Sequence, residues 1–302
     1  MFAEMKVSVV IPNYNTWDLV KRNIDALLQY DSDWIDEIIV VDDCSPIANP
    51  FIFSEKVRII RNSENLHYTR TVNRGLRAAR GEVVVLLDSD AYPIQAFIQT
   101  LVEEYATHAN LGCIGFKTVD EQGSDSGNYM TEPSIWSLVA GQQLHQYLAP
   151  YNVFRSKRLL PFSCAVSFRK ACLEEMGYLD ESFAVLDADN DISMRIHRSN
   201  WVLAYNPAYI ICHTGGHSIP RDGKRVQLFY ESRWHLLEKH KIMKATHFFA
   251  FLIMMRLWLE TQLLALKKSK GDRQKNKWQT RKYLVHYFKE KIKQKGLENT
   301  HP

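Results

Sequence analysis

Gly81-Glu-Val-Val-Val-Leu-Leu-Asp-Ser-Asp-Ala-Tyr-Pro93 is the stretch that decides the fold. The run Val83 to Leu87 contains no polar residue, so it reads as a central strand covered on both faces. It stops at two carboxylates, Asp88 and Asp90, with Ser89 between them. In an open α/β sheet the ligand sits beyond the carboxyl ends of the strands, so this pair predicts a ligand-binding edge. Pro93 limits how far the strand can continue. Hard oxygen donors of this kind suit Mg²⁺ or Mn²⁺, ions that keep waters and bridge to a substrate phosphate. The competing use of Asp-Ser-Asp is a turn whose side chains cap the backbone.

Working outward, Val7-Ser-Val-Val-Ile11 is a first buried strand closed by Pro12-Asn-Tyr-Asn15. A helix follows from about Thr16, with Leu19, Ile24, Leu27 and Leu28 expected inside. Ile38 to Val41 is a second strand, ending in Asp42 and Asp43, and Val57 to Ile60 a third. Thr69 to Ala79 reads as a helix, with Val72, Leu76 and Ala79 on one face and Arg70, Arg74 and Arg77 on another. Strands alternating with helices through short connections predict a largely parallel sheet. After Pro93 come a helix to about Tyr105 and a strand at Gly112 to Phe116. Residues 120 to 160 are polar and aperiodic, a long loop of the kind that forms lids or binding surfaces. Regular structure resumes at Pro161 to Phe168, with helices at Arg169 to Met176 and Asp189 to Asn200. Trp201 to Tyr205 is extended, and Tyr209 to His213 is a last strand. From Arg225 the pattern is helical. The expected architecture is α/β, a mostly parallel central sheet flanked by helices over residues 1–220, with a helical, amphipathic and basic extension over 221–302.

The apolar fraction of 46% and charged fraction of 24% are those of a globular chain. Lys267 to Pro302 holds twelve Lys/Arg against three Asp/Glu, so this tail carries +9 and the rest of a +4 chain carries −5. A basic tail on an acidic body predicts an anionic surface as partner. That surface is membrane or nucleic acid; the aspartate-rich strand ends would repel nucleic acid phosphates unless metal is bound, so membrane and not nucleic acid is the expected partner. Five cysteines without CxxC spacing predict reduced thiols in a cytoplasmic compartment, not a zinc site. The first residues lack the apolar stretch of a signal peptide. Neither GxGxxG nor a Walker A loop follows the first strand, which disfavours dinucleotide dehydrogenases and P-loop enzymes. A haloacid-dehalogenase phosphatase would carry its DxD on the first strand.

Other candidates gather at strand ends. Asp42 and Asp43 form either an Asx-type turn or an acceptor for a nucleobase N–H or ribose hydroxyl. Asp187-Ala-Asp-Asn-Asp191 either complements a helix dipole or supplies a general base. His213 and His217 flank Gly215-Gly216 and are structural or metal-ligating. Arg70, Arg74 and Arg77 form a solvated face, or one of them meets a pyrophosphate.

These motifs together resemble a known family. Val7-Ser-Val-Val-Ile-Pro-Asn-Tyr-Asn15, Ile39-Val-Val-Asp-Asp-Cys-Ser45, and Asn73-Arg-Gly-Leu-Arg-Ala-Ala-Arg-Gly81 running into Leu87-Asp-Ser-Asp90 look like a family 2 glycosyltransferase with the GT-A fold. Phe162-Ser-Cys-Ala-Val-Ser-Phe-Arg-Lys170, Gly177-Tyr-Leu-Asp-Glu-Ser-Phe183, Asp189-Asn-Asp-Ile-Ser-Met-Arg195 and His213-Thr-Gly-Gly-His-Ser218 resemble its bacterial rhamnosyl- and galactofuranosyl-transferase-like branch. The resemblance spans about residues 6 to 220. It implies a metal-dependent, inverting transfer from a UDP- or dTDP-linked sugar to a hydroxyl of a glycan or lipid-linked saccharide, as in cell-surface polysaccharide synthesis. It implies nucleotide-sugar contacts at Pro12, Tyr14, Asn15, Asp42, Asp43, Arg70, Asn73, Asp88 and Ser89, with Asp43 on the base. Mn²⁺ or Mg²⁺ would sit on Asp88, Asp90 and His213, and Asp189 would be the catalytic base. The branch usually has an acidic residue before the base, where this chain has Ala188, so Asp187 and Asp191 remain rivals. The competing functions are a nucleotidyltransferase and a non-catalytic nucleotide-sugar-binding module.

Beyond the resemblance, Phe229, Tyr230, Trp234 and Leu237 share a helical face, and His247 to Leu266 is a second apolar helix. Its uninterrupted apolar run, Phe248 to Met255, falls short of the ~20 residues of a spanning helix. Lys267 to Lys295 is a basic helix carrying Trp278, Tyr283, Tyr287 and Phe288. These helices either pack on the catalytic domain or anchor it at the inner face of the cytoplasmic membrane, each lysine contributing roughly 1 kcal/mol on anionic lipid.

Overall fold

The structure, a computed structural model, describes residues 5–141, 158–215, 223–243, 245–266 and 271–298. His217, residues 142–157 of the long loop, and Lys267, Lys268 and Lys270 lie outside these.

Three valine- and isoleucine-rich runs form parallel neighbours: Val7–Asn13 (β1), Glu37–Asp42 (β2) and Val57–Arg61 (β3). Val83–Leu87 (β4) pairs parallel on the other side of β1. Every residue of β1 and β4 is buried, as strands covered on both faces require. Ala91–Pro93 (β5), Leu111–Val119 (β6), Ala165–Arg169 (β9) and Val202–His213 (β10) complete an eight-stranded sheet in the order β3-β2-β1-β4-β9-β6-β10-β5. Tyr129–Thr131 (β7) and Leu159–Pro161 (β8) form a separate antiparallel pair.

The sheet is mostly parallel, with two departures that residue patterns do not encode. Strand β9 lies between β4 and β6 and runs antiparallel to both. A buried apolar strand looks the same in sequence whichever way it points. Strand β5 is only three residues long and pairs antiparallel with β10 at the sheet edge, where Pro93 needs no ladder partner for its nitrogen. The two extended segments expected at Trp201 to Tyr205 and Tyr209 to His213 are one strand. Its register against β6 shifts between Asn206 and Ile210, on either side of Pro207.

Helices Trp17–Asp31 (α1), His67–Ala78 (α2) and Ile98–Thr107 (α3) flank this sheet, with Lys170–Met176 (α5) and Ala188–Ile196 (α6) later in the chain. Helix α1 buries Trp17, Val20, Ile24 and Leu27, while Leu19 and Leu28 sit at the margin of that stripe. Asp31 ends α1, and its buried carboxylate accepts bonds from the Phe97 and Ile98 amides at the start of α3. Helix α2 buries Val72 and Leu76, as its 3.6-residue spacing predicts. Gly75 lets α2 approach the sheet closely. A Cβ there would lie 2.4 Å from Val10 Cγ1 and 2.9 Å from Val41 Cγ2. Gly75→Ala gains helix propensity, about 1 kcal/mol. Overpacking against two rigid β-branched side chains costs about 1–3 kcal/mol. The expected net result is a lower thermal midpoint; an unchanged or raised midpoint in a melting curve would contradict this packing.

The chain divides into two compact units. The first holds the sheet and its helices. The second holds Trp136–Val139 (α4) with Gly223–Lys239 (α7), Thr246–Leu266 (α8) and Asp272–Glu298 (α9). Its own core joins Leu138, Trp234, Leu237, Ile253, Leu257 and Phe288. Among the described residues, α8 is the one helix long and apolar enough to cross a membrane, by length and composition.

Candidate active site

The order of the parallel strands reverses at β1: β2 and β3 lie on one side of it, β4 on the other. A crevice forms at such a switch point, beyond the carboxyl ends of the strands. The chemistry-bearing residues are at those ends. Asn13 and Asp42 are register partners, Asp42 faces Arg61, and Asp88 directly follows β4. Thr16 Oγ1 lies 2.9 Å from Asn13 Oδ1 and 2.9 Å from Ser89 Oγ, which ties the start of α1 to the Asp-Ser-Asp turn.

His213 reaches this turn through the β5–β10 pairing. Ala91 is its register partner, and the Thr214 amide donates to the Asp90 carbonyl. His213 Nε2 is 3.3 Å from Asp90 Oδ1. Asp88, Asp90 and His213 can each offer one ligand atom within 4.8 Å of the others. Two carboxylate oxygens and an imidazole nitrogen fit Mn²⁺ or Mg²⁺ by donor chemistry. The grouping also perturbs its members. Burial, and then the charge of Asp90, push the Asp88 carboxyl up to about 6, against the hydrogen bond from Tyr68 and the charge of His213. Burial opposes a charged His213, but the hydrogen bond and charge of Asp90, with the charge of Asp88, outweigh it and raise the imidazole above its usual value.

Tyr68, Ser163 and Asn23 had no role in the sequence reading. The Tyr68 hydroxyl donates to Asp88 Oδ1 at 2.7 Å and lies 3.0 Å from Ser163 Oγ. The Ser163 amide donates to Asp189 Oδ2 at 3.3 Å, so one short chain of contacts connects the aspartate pair to Asp189. Asn23 Nδ2 holds the Asp88 carbonyl at 3.1 Å, and the Asp88 amide donates to Cys164 O. A tyrosine in the first turn of an amphipathic helix and a serine between strands give no signal in sequence. The β4–β9 pairing brings Ser163 to Asp88, and the start of α2 brings Tyr68.

The three aspartates of α6 separate by environment. Asp191 is fully buried and ion-paired with Arg195 at 2.8 Å, and Arg195 is also bonded to the Met176 and Tyr178 carbonyls. Asp187 is the buried N-cap with φ of +67°, and its carboxylate accepts from Asn190 Nδ2 at 2.7 Å. Asp189 is half-buried and accepts from its neighbour's amide, Asn190 N, as well as from Ser163 N.

The expected nucleotide contacts also separate. Tyr14 is 52% exposed, and Asn15, with φ of +59°, is exposed beside it on the β1–α1 turn. Pro12 is buried in β1. Asp43 Oδ1 accepts from Asn62 Nδ2 at 2.8 Å and from the Leu66 amide at 2.7 Å. Asp42 and Asn73 carry structural bonds as well. Asp42 is buried, with Oδ1 bonded to Asn13 and Ser45 and Oδ2 to Arg61, so it clamps the strand ends together. Asn73 is buried in α2 and exchanges bonds with the Leu179 backbone while donating to Glu181, so it braces the loop leading to α6. Arg70 is exposed and lies 3.7 Å from the same Glu181, which Arg77 also pairs.

The model of the family described as Glycosyl transferase family 2 matches residues 8–175. That span is more than half of the 302 residues. Polypeptide N-acetylgalactosaminyltransferase 12 from Mus musculus is 27% identical over 237 residues, covering 72% of this chain and 40% of that protein. The chain thus spans about two fifths of that relative's length. An N-acetylglucosaminyl-diphospho-decaprenol L-rhamnosyltransferase from Mycobacterium tuberculosis is 24% identical over 193 residues, covering 55% of this chain and 61% of that protein. Among solved structures, a mannosyltransferase from Pyrobaculum calidifontis in complex with GDP-Man and Mn²⁺ superposes with a TM-score of 0.53 at 15% identity, covering 98% of this chain and 88% of that one. The fold is GT-A.

Proposed function

The chain belongs to glycosyl transferase family 2, and from that premise we propose that it transfers a sugar from a UDP- or dTDP-linked donor to a hydroxyl of a glycan or lipid-linked saccharide, with inversion at the anomeric carbon. The observation that carries this reading is the gathering of Asp88, Asp90 and His213 at the switch-point edge, with Asp189 joined to them through Ser163 and Tyr68. Asp88, Asp90 and His213 would hold Mn²⁺ or Mg²⁺. When bound, that ion would offset the charge developing on the departing diphosphate. Asp189 would take the proton from the acceptor hydroxyl, whose oxygen attacks the anomeric carbon as the bond to the diphosphate breaks. One base without a nucleophilic carboxylate gives a single displacement and hence inversion.

Asp43 has acceptor capacity left after its two bonds, since a carboxylate offers about four sites, and it would meet the N–H of the base. Tyr14 and Asn15 would close over the nucleoside from the β1–α1 turn. Ser89 and Arg70 would flank the diphosphate. Similarity to the rhamnosyltransferase supports a donor of the rhamnosyl type and a lipid-linked acceptor. An enzyme with such an acceptor would work in the cytoplasm, at the inner face of the membrane.

A thermal-shift panel of nucleotide sugars, with and without Mn²⁺, tests the reading. A ligand at 100 times its dissociation constant stabilises by about 2.7 kcal/mol, so UDP- or dTDP-sugars are expected to raise the midpoint in an Mn²⁺-dependent way. Metal-independent behaviour across every nucleoside diphosphate would remove the proposal.

A further inference from the structure

Helix α8 has two unlike faces. Ala250, Ile253, Leu257 and Thr261 are buried in the helical unit. Phe248, Phe251, Met255, Leu259, Leu263 and Leu266 are exposed, Phe248 by 56% and Leu266 by 78%. Their spacing of three, four, four, four and three residues lines them up as one stripe along the helix. A continuous exposed apolar surface of this kind marks an interaction site.

The surroundings of the stripe identify the partner. A groove of about 390 Å³ runs beside it between α8 and α9, with Trp258 on one wall and Trp278, Lys282, His286 and Lys289 on the other. The Lys282 ammonium stands 4.7 Å over the Trp278 ring. Trp258 is itself 44% exposed. Indoles favour the headgroup level of a bilayer, and lysines favour anionic phosphates. An apolar stripe bordered by indoles and cations is complementary to an anionic leaflet, apolar below and negative above.

Length alone would let α8 cross the bilayer. Its other contacts argue against crossing. Arg256 and Glu260, in the middle of the helix, are ion-paired with each other, and Arg281 of α9 binds the second Glu260 oxygen at 2.5 Å. Arg256 also reaches the Tyr230 hydroxyl at 2.6 Å and the Leu138 carbonyl. A spanning α8 would carry this network to the bilayer centre or break it.

We propose that α8 lies in the plane of an anionic phospholipid leaflet, its exposed stripe among the acyl chains and the Lys282–Lys289 groove against the headgroup phosphates. This deepens the membrane-side reading above and rests on it, but it does not depend on the transfer chemistry. Vesicle binding can therefore fail while nucleotide-dependent stabilisation succeeds, and the converse also holds.

The test is flotation of the full chain with phosphatidylglycerol-containing and pure phosphatidylcholine vesicles, together with carbonate extraction of membranes from expressing cells. Wild type is expected to float with anionic vesicles, to do so less as salt is raised, and to be released by carbonate. Phe251→Glu/Leu259→Glu/Leu263→Glu is expected to lower partitioning by roughly 1,000-fold, since each of the three large apolar side chains withdrawn counts for on the order of tenfold. All three positions are exposed, so the melting midpoint should stay at the wild-type value. Lys282→Glu/Lys289→Glu should remove the preference for anionic lipid. Equal flotation of the triple variant and wild type would overturn the proposal. So would retention after carbonate, which indicates spanning, or a wild type that ignores anionic vesicles; if that wild type is dimeric where the triple variant is monomeric, the stripe is an interface between copies.

Discussion

Asp189→Asn is expected to keep metal-dependent nucleotide binding and to lose transfer by roughly 10²- to 10⁴-fold, the usual contribution of a general base. That loss corresponds to about 3–5 kcal/mol of barrier. The substitution preserves shape and leaves one oxygen to accept from the Asn190 or Ser163 amide. The capacity to take a proton disappears, together with one of these two amide bonds. The rivals behave differently because their carboxylates have structural duties. Asp191→Asn removes the charge of a fully buried carboxylate paired with the partly exposed Arg195, and breaking a buried pair costs up to about 3–5 kcal/mol of stability. Its signature is a lowered melting midpoint. Asp187→Asn perturbs an N-cap held at positive φ and bonded to Asn190, so it too should register first in stability. Turnover at the wild-type rate in Asp189→Asn would sink the assignment. Lost turnover in Asp191→Asn with an unshifted midpoint would move the role to Asp191.

The legible parts of this fold are those where local pattern and global position agree. Ile38 to Val41 and Val83 to Leu87 have no polar residue, and Val7 to Ile11 has only Ser8, the composition of strands covered on both faces. The carboxylates that end the first two of these, Asp42 and Asp43 after Val41 and Asp88 after Leu87, mark the ligand edge for the same reason: a charge cannot follow the strand into the core. The direction of β9 was not legible, because an isolated apolar strand has no sign. Nor was the pairing of β5 with β10, which depends on where a chain 120 residues downstream returns. The site inherits these limits. Asp88, Asp90 and His213 were visible as types at strand ends, whereas the route from Asp88 to Asp189 through Tyr68 and Ser163 exists only because β9 lies beside β4. Asp42 and Asn73 show what motifs leave out: both also hold structural bonds, Asp42 in the Asn13–Ser45–Arg61 clamp and Asn73 on the Leu179 backbone.

Asp90→Ala is expected to abolish the stabilisation that Mn²⁺ confers and to lower transfer by roughly 10³-fold or more, since charge neutralisation by a bound metal supplies several kcal/mol. The pH dependence of that stabilisation gives an independent check. In the metal-free protein the Asp88 carboxyl is raised to about 6 from 3.8. A carboxyl raised on folding contributes stability below its unfolded value and loses it as pH rises through the folded value. His213, also raised, follows the same sign at higher pH. The metal-free site therefore becomes less favourable as pH climbs from about 4 past 6. A cation requires Asp88 ionised and His213 neutral, so it restores stability where the empty site loses it. The gain in melting midpoint on adding Mn²⁺ should be larger at about pH 7.5 than at about pH 5, and chelation should reverse it. The same comparison in Asp90→Ala should show no gain at either pH. Two results would contradict the assignment of Asp88, Asp90 and His213 as the metal site. One is an Mn²⁺ response that persists in Asp90→Ala; the other is a wild-type response that stays level across this window.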